Sequence, residues 1–318
     1  MSTSRFFVLP ALLAALAACG PVAGAIGVEA TDAAPPLKLV FPAQLAARPV
    51  AQSSGAIPVG GDRPVFVHVP LSYDPTKPAP LVIMLHGYGA SGAIEEAYLR
   101  LTPQSDEYGF LYAYPDGTVD QVGNRFWNAT TTCCDFYDSG VDDSAYLKNL
   151  ILEIEEHYNV APRQVYVVGH SNGAFMAYRM ACDHADLIGG VVSFAGAMWD
   201  DVDYCSPSQP LRILEIHGTD DPLLPYYAGG FLRDEAFPST PTTILDWVGL
   251  NGCTEVADTR AAPLDLDSSI AGPETTIARY GSCAGGSDAE LWTMHGGDHV
   301  PVLTGNFASD VIRHLLVP

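Results

Sequence analysis

The chain predicts an α/β fold, a mostly parallel sheet covered by helices on both faces, and three observations carry that expectation. Short runs of β-branched and apolar residues alternate along the sequence with segments of helical period. One run, Leu81-Val-Ile-Met-Leu85, is apolar at every position, as in a strand buried on both faces. Another, Val165-Tyr-Val-Val168, leads into Gly169-His170-Ser171-Asn172-Gly173 and then directly into a helical pattern. Strands alternating with helices in this way build βαβ units.

Taken in order, Val65–Val69 opens the folded region. Strands are expected at Leu81–Leu85, Phe110–Tyr114, Val165–Val168, Gly190–Phe194, Ile213–His217 and Glu290–Met294. Each concentrates β-branched, aromatic or apolar side chains between turn residues. Helices are expected near Ala93–Tyr108, Ser144–Tyr158, Ala174–Cys182, Thr242–Leu250 and Phe307–Leu316, where apolar residues recur at three- and four-residue spacing. Asp142 or Asp143 stands where the second of these wants a cap. No internal repeat or change of composition interrupts residues 62–318, so they are expected to form one domain.

The N-terminus has a different character. Arg5 precedes an apolar run from Phe6 to Ala18, which suits the core of an export signal and is too short to span a bilayer. It ends in Leu16-Ala17-Ala18-Cys19-Gly20, which resembles a bacterial lipobox; an ordinary Ala-x-Ala cleavage is the alternative. Residues 1–18 are therefore expected to be a lipoprotein-type signal peptide. Residues 19–61, rich in Ala, Pro and Gly without sustained period, are expected to be a linker. An extracytoplasmic chain is implied, meeting a membrane only through lipid on Cys19.

Composition narrows the partners. The 318 residues are 48% hydrophobic and 16% charged, which is globular, and the formal net charge is −22. Such a surface repels phosphate backbones, so no nucleic-acid partner is expected. Besides Cys19, six cysteines remain, and an even number in an exported chain suggests disulfides. Cys182–Cys205 and Cys253–Cys283 are favoured because each joins segments flanking expected strands, which leaves Cys133 and Cys134 for each other. Adjacent Cα atoms about 3.8 Å apart fall below the usual disulfide span of about 4.4–6.8 Å, so crossed pairings stay open.

The chemistry gathers around Ser171. Its Gly-x-Ser-x-Gly turn between strand and helix is a nucleophile elbow, in which the serine adopts a strained backbone that neighbouring side chains would obstruct. The helix that follows directs free N–H groups and its positive dipole end toward charge developing near the serine. After the apolar strand, His86-Gly87-Tyr88-Gly89-Ala90-Ser91-Gly92 can turn backbone N–H groups toward a small anion. The Asn172 N–H and one from Tyr88 or Gly89 would then form an oxyanion hole. Downstream, Ile213–His217 is followed by Gly218-Thr219-Asp220-Asp221, and side-chain chemistry alone leaves Asp220 and Asp221 equal as the acid. The loop Met294-His295-Gly296-Gly297-Asp298-His299 supplies the base. His299 is favoured because it lies farther into the loop, while His295 closes a strand and is expected to be packed. With two glycines between them the histidines cannot share a helical face, so no metal is expected. Trp127 and Tyr114 are candidates for walling an acyl or aryl pocket, with core packing as the alternative. Asn128-Ala-Thr130 is a formal glycosylation sequon, which a bacterial lipobox argues against.

The order Ser, Asp, His is that of the α/β-hydrolases. From about residue 62 onward the chain resembles the secreted esterases of the polyhydroxybutyrate depolymerase and feruloyl esterase group. The residues that carry the resemblance are His86-Gly87-Tyr88-Gly89, Tyr114-Pro-Asp-Gly117, Phe126-Trp-Asn-Ala129 with Cys133-Cys134, and Val141-Asp-Asp143. Farther on they are Gly169-His-Ser-Asn-Gly-Ala174, His217-Gly-Thr-Asp-Asp221, Asn251-Gly-Cys253 and Gly297-Asp-His299. The resemblance implies an α/β-hydrolase fold and a cofactor-free serine esterase. It places the acid at Asp221 and supports His299. It implies hydroxyalkanoate esters or oligomers as substrates, with feruloyl or acetyl esters of plant polysaccharides as the alternative. No appended domain of the sort that holds large depolymerases on granules is expected, so action on solid polymer is not expected either.

Overall fold

A computed structural model describes residues 57–316. The expected signal peptide, the lipidation site at Cys19 and nearly all of the expected linker lie outside these residues. Seven strands form the central sheet: β1 (Ala79–Leu85), β2 (Leu111–Ala113), β3 (Val160–His170), β4 (Gly190–Phe194), β5 (Arg212–Gly218), β6 (Thr275–Tyr280) and β7 (Ala289–Met294). Their order across the sheet is β6-β7-β5-β4-β3-β1-β2. Only β6 runs against its neighbour; every other pairing is parallel.

Six helices cover the sheet: α1 (Gly92–Leu99), α2 (Thr102–Tyr108), α3 (Asp143–His157), α4 (Asn172–Asp183), α5 (Thr240–Leu250) and α6 (Phe307–Leu316). Alternation along the strands divides the core in two. Leu81, Ile83, Leu85, Val165 and Val167 face one way and pack with residues of α3, α4 and α5. Val82, Met84, Tyr166 and Val168 face the other way and pack with Tyr98, Leu99, Val311, Ile312 and Leu315. The mostly parallel sheet, covered on both faces, is the architecture the sequence predicts.

Two expectations need correction. The single helix expected over 93–108 is two helices. Arg100 adopts φ 58° and closes α1, and Pro103, which has no N–H to donate, stands in the first turn of α2. The Glu96 carboxylate bridges the break, accepting from the Leu101 N–H at 3.2 Å and the Thr102 N–H at 3.0 Å. Strand β6, absent from the expectation, pairs along its whole length with β7. It is an edge strand, and only Thr275 and Ile277 within it are buried, so it lacks the apolar density by which the other strands were read. Asp142 rather than Asp143 caps α3, accepting from the Ala145 N–H at 2.9 Å.

The disulfides are Cys133–Cys134, Cys182–Cys205 and Cys253–Cys283. Among the described residues no helix is long and apolar enough to cross a membrane.

Candidate active site

The carboxyl ends of β3, β5 and β7 converge on Ser171. The serine alone makes the turn from β3 into α4, at φ 54° and ψ −119°. A non-glycine residue there costs about 1–3 kcal/mol and persists only where its surroundings hold it. Its N–H donates to the Phe194 carbonyl at 2.8 Å, and its carbonyl accepts from the N–H groups of Ala174 and Phe175 at 2.9 and 3.1 Å. The flanking glycines are required by backbone contact. A Cβ on Gly169 would stand 2.0 Å from the Gly173 carbonyl oxygen, and one on Gly173 would stand 2.1 Å from the Leu85 carbonyl oxygen. The second contact is what brings the elbow against the turn that leaves β1.

His299 joins the serine to the acid. Its Nδ1 lies 2.6 Å from Asp221 Oδ2 and its Nε2 lies 2.9 Å from Ser171 Oγ. Facing a carboxylate, Nδ1 carries the proton, so Nε2 presents a lone pair to the serine hydroxyl. Burial holds the His299 pKa below that of an ordinary histidine, against the pull of Asp221. The neutral ring is therefore the resident form near neutral pH. Asp221 Oδ1 accepts from the Leu223 and Leu224 N–H groups, both at 2.8 Å. Burial opposes its charge, but hydrogen bonds from His217 and His299 outweigh burial and hold its pKa well below the usual carboxylate range.

Glycines also dock the acid loop on the base loop. A Cβ on Gly218 would stand 2.2 Å from the Gly297 carbonyl oxygen. The Asp220 N–H donates to that same oxygen at 3.0 Å, and the Gly296 N–H donates to Thr219 Oγ1 at 2.8 Å. This docking turns Asp221 inward and leaves Asp220 exposed. His295 was expected to be packed. It is exposed, one residue beyond the end of β7, and its Nε2 lies 2.9 Å from Thr276 Oγ1.

The turn after β1 is held at almost every backbone group. Gly87 donates its N–H to Glu95 Oε2 at 3.2 Å, and Ala90 donates to the Gly87 carbonyl at 3.1 Å. The Gly89 N–H donates to the Arg125 carbonyl at 2.8 Å, so Gly89 cannot serve as the oxyanion donor in this arrangement. No hydrogen bond to the Tyr88 N–H is found among the described residues. The N–H groups of Gly87, Gly89 and Ala90 are thus already committed within the turn. His86 supports the turn from below: its Nδ1 donates to the Gly87 carbonyl at 2.8 Å and its Nε2 accepts from the Gly117 N–H at 2.9 Å. Burial lowers its pKa, in keeping with this neutral tautomer.

Trp127 is not a pocket wall. It is fully buried, and its indole N–H donates to the His86 carbonyl at 3.1 Å. Its backbone clasps the Asn172 side chain, donating to Oδ1 at 2.7 Å and accepting from Nδ2 at 2.9 Å. The same Nδ2 lies 3.5 Å from Cys133 Sγ, so the loop carrying Cys133–Cys134 packs directly on the start of α4. Tyr114 is half-buried, with its ring 5.4 Å from that of Tyr112, and makes no hydrogen bond or ring contact with Ser171, Asp221 or His299. Sequence reasoning left His170 and Glu95 without a role. His170 Nδ1 lies 3.0 Å from Glu95 Oε1, and its Nε2 lies 3.0 Å from the His299 carbonyl oxygen, so this pair props the base loop from behind. Adjacency of His170 to the serine was the one signal available. Its partner, 75 positions away, carried none.

With the geometry in place, comparison with known proteins gives a consistent picture. The chain is 26% identical over 266 residues to feruloyl esterase B of Piromyces equi, a match covering 80% of this chain and 46% of that protein. It is 30% identical over 141 residues to poly(3-hydroxyalkanoate) depolymerase C of Paucimonas lemoignei, covering 43% of this chain and 32% of that protein. The chain thus matches less than half the length of either relative. Both sides of the resemblance read from the motifs recur in these two proteins. Among solved structures, the acetyl xylan esterase from Aspergillus awamori superposes with a TM-score of 0.57 at 16% identity, covering 82% of this chain and 98% of that one, which shows a shared fold. Residues 72–235, more than half the chain, match the Phospholipase/Carboxylesterase family of α/β-hydrolases, and the chain belongs to that family.

Proposed function

We propose that this protein is a serine esterase that hydrolyses carboxylic esters through an acyl-enzyme on Ser171. The observation that carries the proposal is the continuous contact from Ser171 Oγ through the His299 ring to Asp221 Oδ2, at 2.9 and 2.6 Å. His299 Nε2 takes the hydroxyl proton as Oγ attacks the carbonyl carbon, and Asp221 stabilises the imidazolium that forms. The carbonyl oxygen gains negative charge and accepts from the N–H groups of Asn172 and Tyr88, aided by the positive end of α4. Collapse of the tetrahedral species breaks the bond to the alcohol oxygen, which takes the proton from His299. Water then repeats the sequence on the acyl-enzyme, releasing the acid and restoring the serine. Water is the only co-reactant, and no cofactor is proposed.

The substrates proposed are hydroxyalkanoate esters or oligomers, in line with the depolymerase relative. Feruloyl or acetyl esters of plant polysaccharides form the second reading, favoured by the feruloyl esterase match, which covers more of the chain. The catalytic domain is proposed to span 62–318, carried from an export signal and a lipid-modified Cys19 by the intervening linker.

Replacing Ser171→Ala should lower ester turnover by on the order of 10⁴-fold or more with circular dichroism unchanged. Turnover that survives would sink the nucleophile assignment. Matched ester and anilide substrates separate an esterase from a peptidase, and labelling of Ser171 by a phosphonate probe separates an enzyme from a binding protein on the same fold. A panel of hydroxybutyrate oligomers, feruloyl and acetylated sugars and short nitrophenyl esters decides the substrate class.

A further inference from the structure

Asp221 Oδ2 is shared by two histidines. It accepts from His299 Nδ1 at 2.6 Å and lies 3.1 Å from His217 Nε2. The His217 ring is buried, and each of its nitrogens meets two oxygens. Nε2 also lies 2.9 Å from the Leu224 carbonyl oxygen; Nδ1 lies 3.1 Å from Glu215 Oε1 and 2.9 Å from Thr240 Oγ1. A carbonyl and a carboxylate only accept, so Nε2 must carry a proton. A bare lone pair at Nδ1 could accept from the Thr240 hydroxyl but would still face the Glu215 carboxylate, whereas a proton there is matched by that carboxylate. Glu215 is fully buried and receives the Tyr178 hydroxyl at 2.6 Å. The charged and titratable groups around the ring are therefore Glu215 on its own strand, Asp221 on the following loop, and His299 beyond Asp221. The Tyr226 ring packs edge-on at 5.8 Å, with its hydroxyl 2.7 Å from Thr293 Oγ1.

We propose that His217 is a positioning residue for the hydrolytic site, an imidazolium clamped between Glu215 and Asp221 that sets how much of the Asp221 charge reaches His299. The proposal rests on the assignment of Ser171, His299 and Asp221 above. A neutral second histidine would merely orient the acid. A cation on the same oxygen also neutralises part of its charge, so His299 sheds its proton at a lower pH and remains a base in mildly acidic surroundings. Burial alone would discharge His217, but the Asp221 and Glu215 carboxylates outweigh burial and raise its pKa to about 9. The same cluster seats the acid loop, since His217 bonds Leu224 on the far side of that loop and Thr240 at the start of α5.

Two measurements on the full chain test this. In ¹⁵N-histidine-labelled Ser171→Ala protein, both ring nitrogens of His217 should show imidazolium shifts at pH 7.5. A neutral tautomer there would overturn the proposal without reference to activity. The pH profile of kcat/KM is the second readout. His217→Gln keeps a donor to Asp221 but removes the charge, and should move the acid limb up by roughly one pH unit while lowering kcat/KM roughly tenfold. Glu215→Gln removes the counter-charge and keeps the shape, so it should lower the pH at which His217 itself loses its proton, read from the same ¹⁵N shifts. A loss of amplitude with an unmoved limb in His217→Gln means that His217 is only structural and overturns the proposal. Full hydrolysis by Ser171→Ala would instead overturn the underlying nucleophile assignment.

Discussion

At Gly173 a single methyl group separates a working elbow from an obstructed one, because the nearest atoms are the Leu85 and His86 carbonyl oxygens and not a side chain that could swing aside. Gly173→Ala should therefore cost about 3 kcal/mol or more, read as a fall in urea midpoint, with a loss of ester hydrolysis. A variant of unchanged midpoint would contradict the contact. The titration of His299 is also decided locally. Burial places its pKa below the ordinary 6.5, so the acid limb of kcat/KM should have its midpoint below pH 6.5, and a midpoint at 7 or above would refute the environment described. His217 has the opposite sign. Its folded pKa lies above the unfolded value, so its contribution to stability is fully present below pH 6.5 and is lost as pH rises toward about 9. Urea titrations between pH 6.5 and 9 should show declining stability in the parent chain and a flatter curve in His217→Gln. Ser171 and the two glycines of the elbow were legible because the motif confines them to a few consecutive positions, and His299 because the loop after the last strand offers only His295 beside it. The choice between Asp220 and Asp221 was not legible from side-chain chemistry, since both are aspartates in the same loop.

Elements that bury a continuous apolar face were legible to within a few residues. β1, β4, β5 and α6 are examples, and each carries its signal in its own side chains. Elements whose limits depend on partners were not. The break between α1 and α2 is marked by Pro103, yet it is completed by Glu96, which reaches forward to cap the second helix and also accepts from the Tyr112 hydroxyl at 2.7 Å. Strand β6 exists because β7 offers it an edge. The start of α3 is set by a local cap. Asp142→Ala should cost about 1 kcal/mol in unfolding free energy, whereas removing Asp143 disrupts more than a cap. Asp143 is buried, and it accepts from Arg63 Nη1 at 2.6 Å and from the Asn128 N–H at 2.7 Å. An equal effect of the two substitutions would show that this distinction is wrong.

On the scale of the whole molecule, the two long-range disulfides close loops of 23 and 30 residues in sequence separation. Removing either by paired Cys→Ser substitution should lower stability by about 3 kcal/mol, measured by urea denaturation, chiefly by freeing the unfolded chain. Cys182–Cys205 lies at the end of α4, the helix that begins at the elbow, so its loss should leave a folded but less stable protein. By itself the sequence determined the class of fold, the strand–serine–helix junction and the order of the candidate serine, acid and base, since each is written in local pattern: apolar period, glycine spacing and succession along the chain. Side-chain chemistry left Asp220 and Asp221 equal and the family resemblance pointed to Asp221; only the tertiary structure decided how Asp221 is turned inward, that the Gly89 N–H is already committed, that Trp127 braces Asn172 from within the core, and that a second histidine sits on Asp221. Those outcomes depend on which groups separate loops bring within about 3 Å of one another, where burial and hydrogen bonding select among residues that look equivalent in a linear chain.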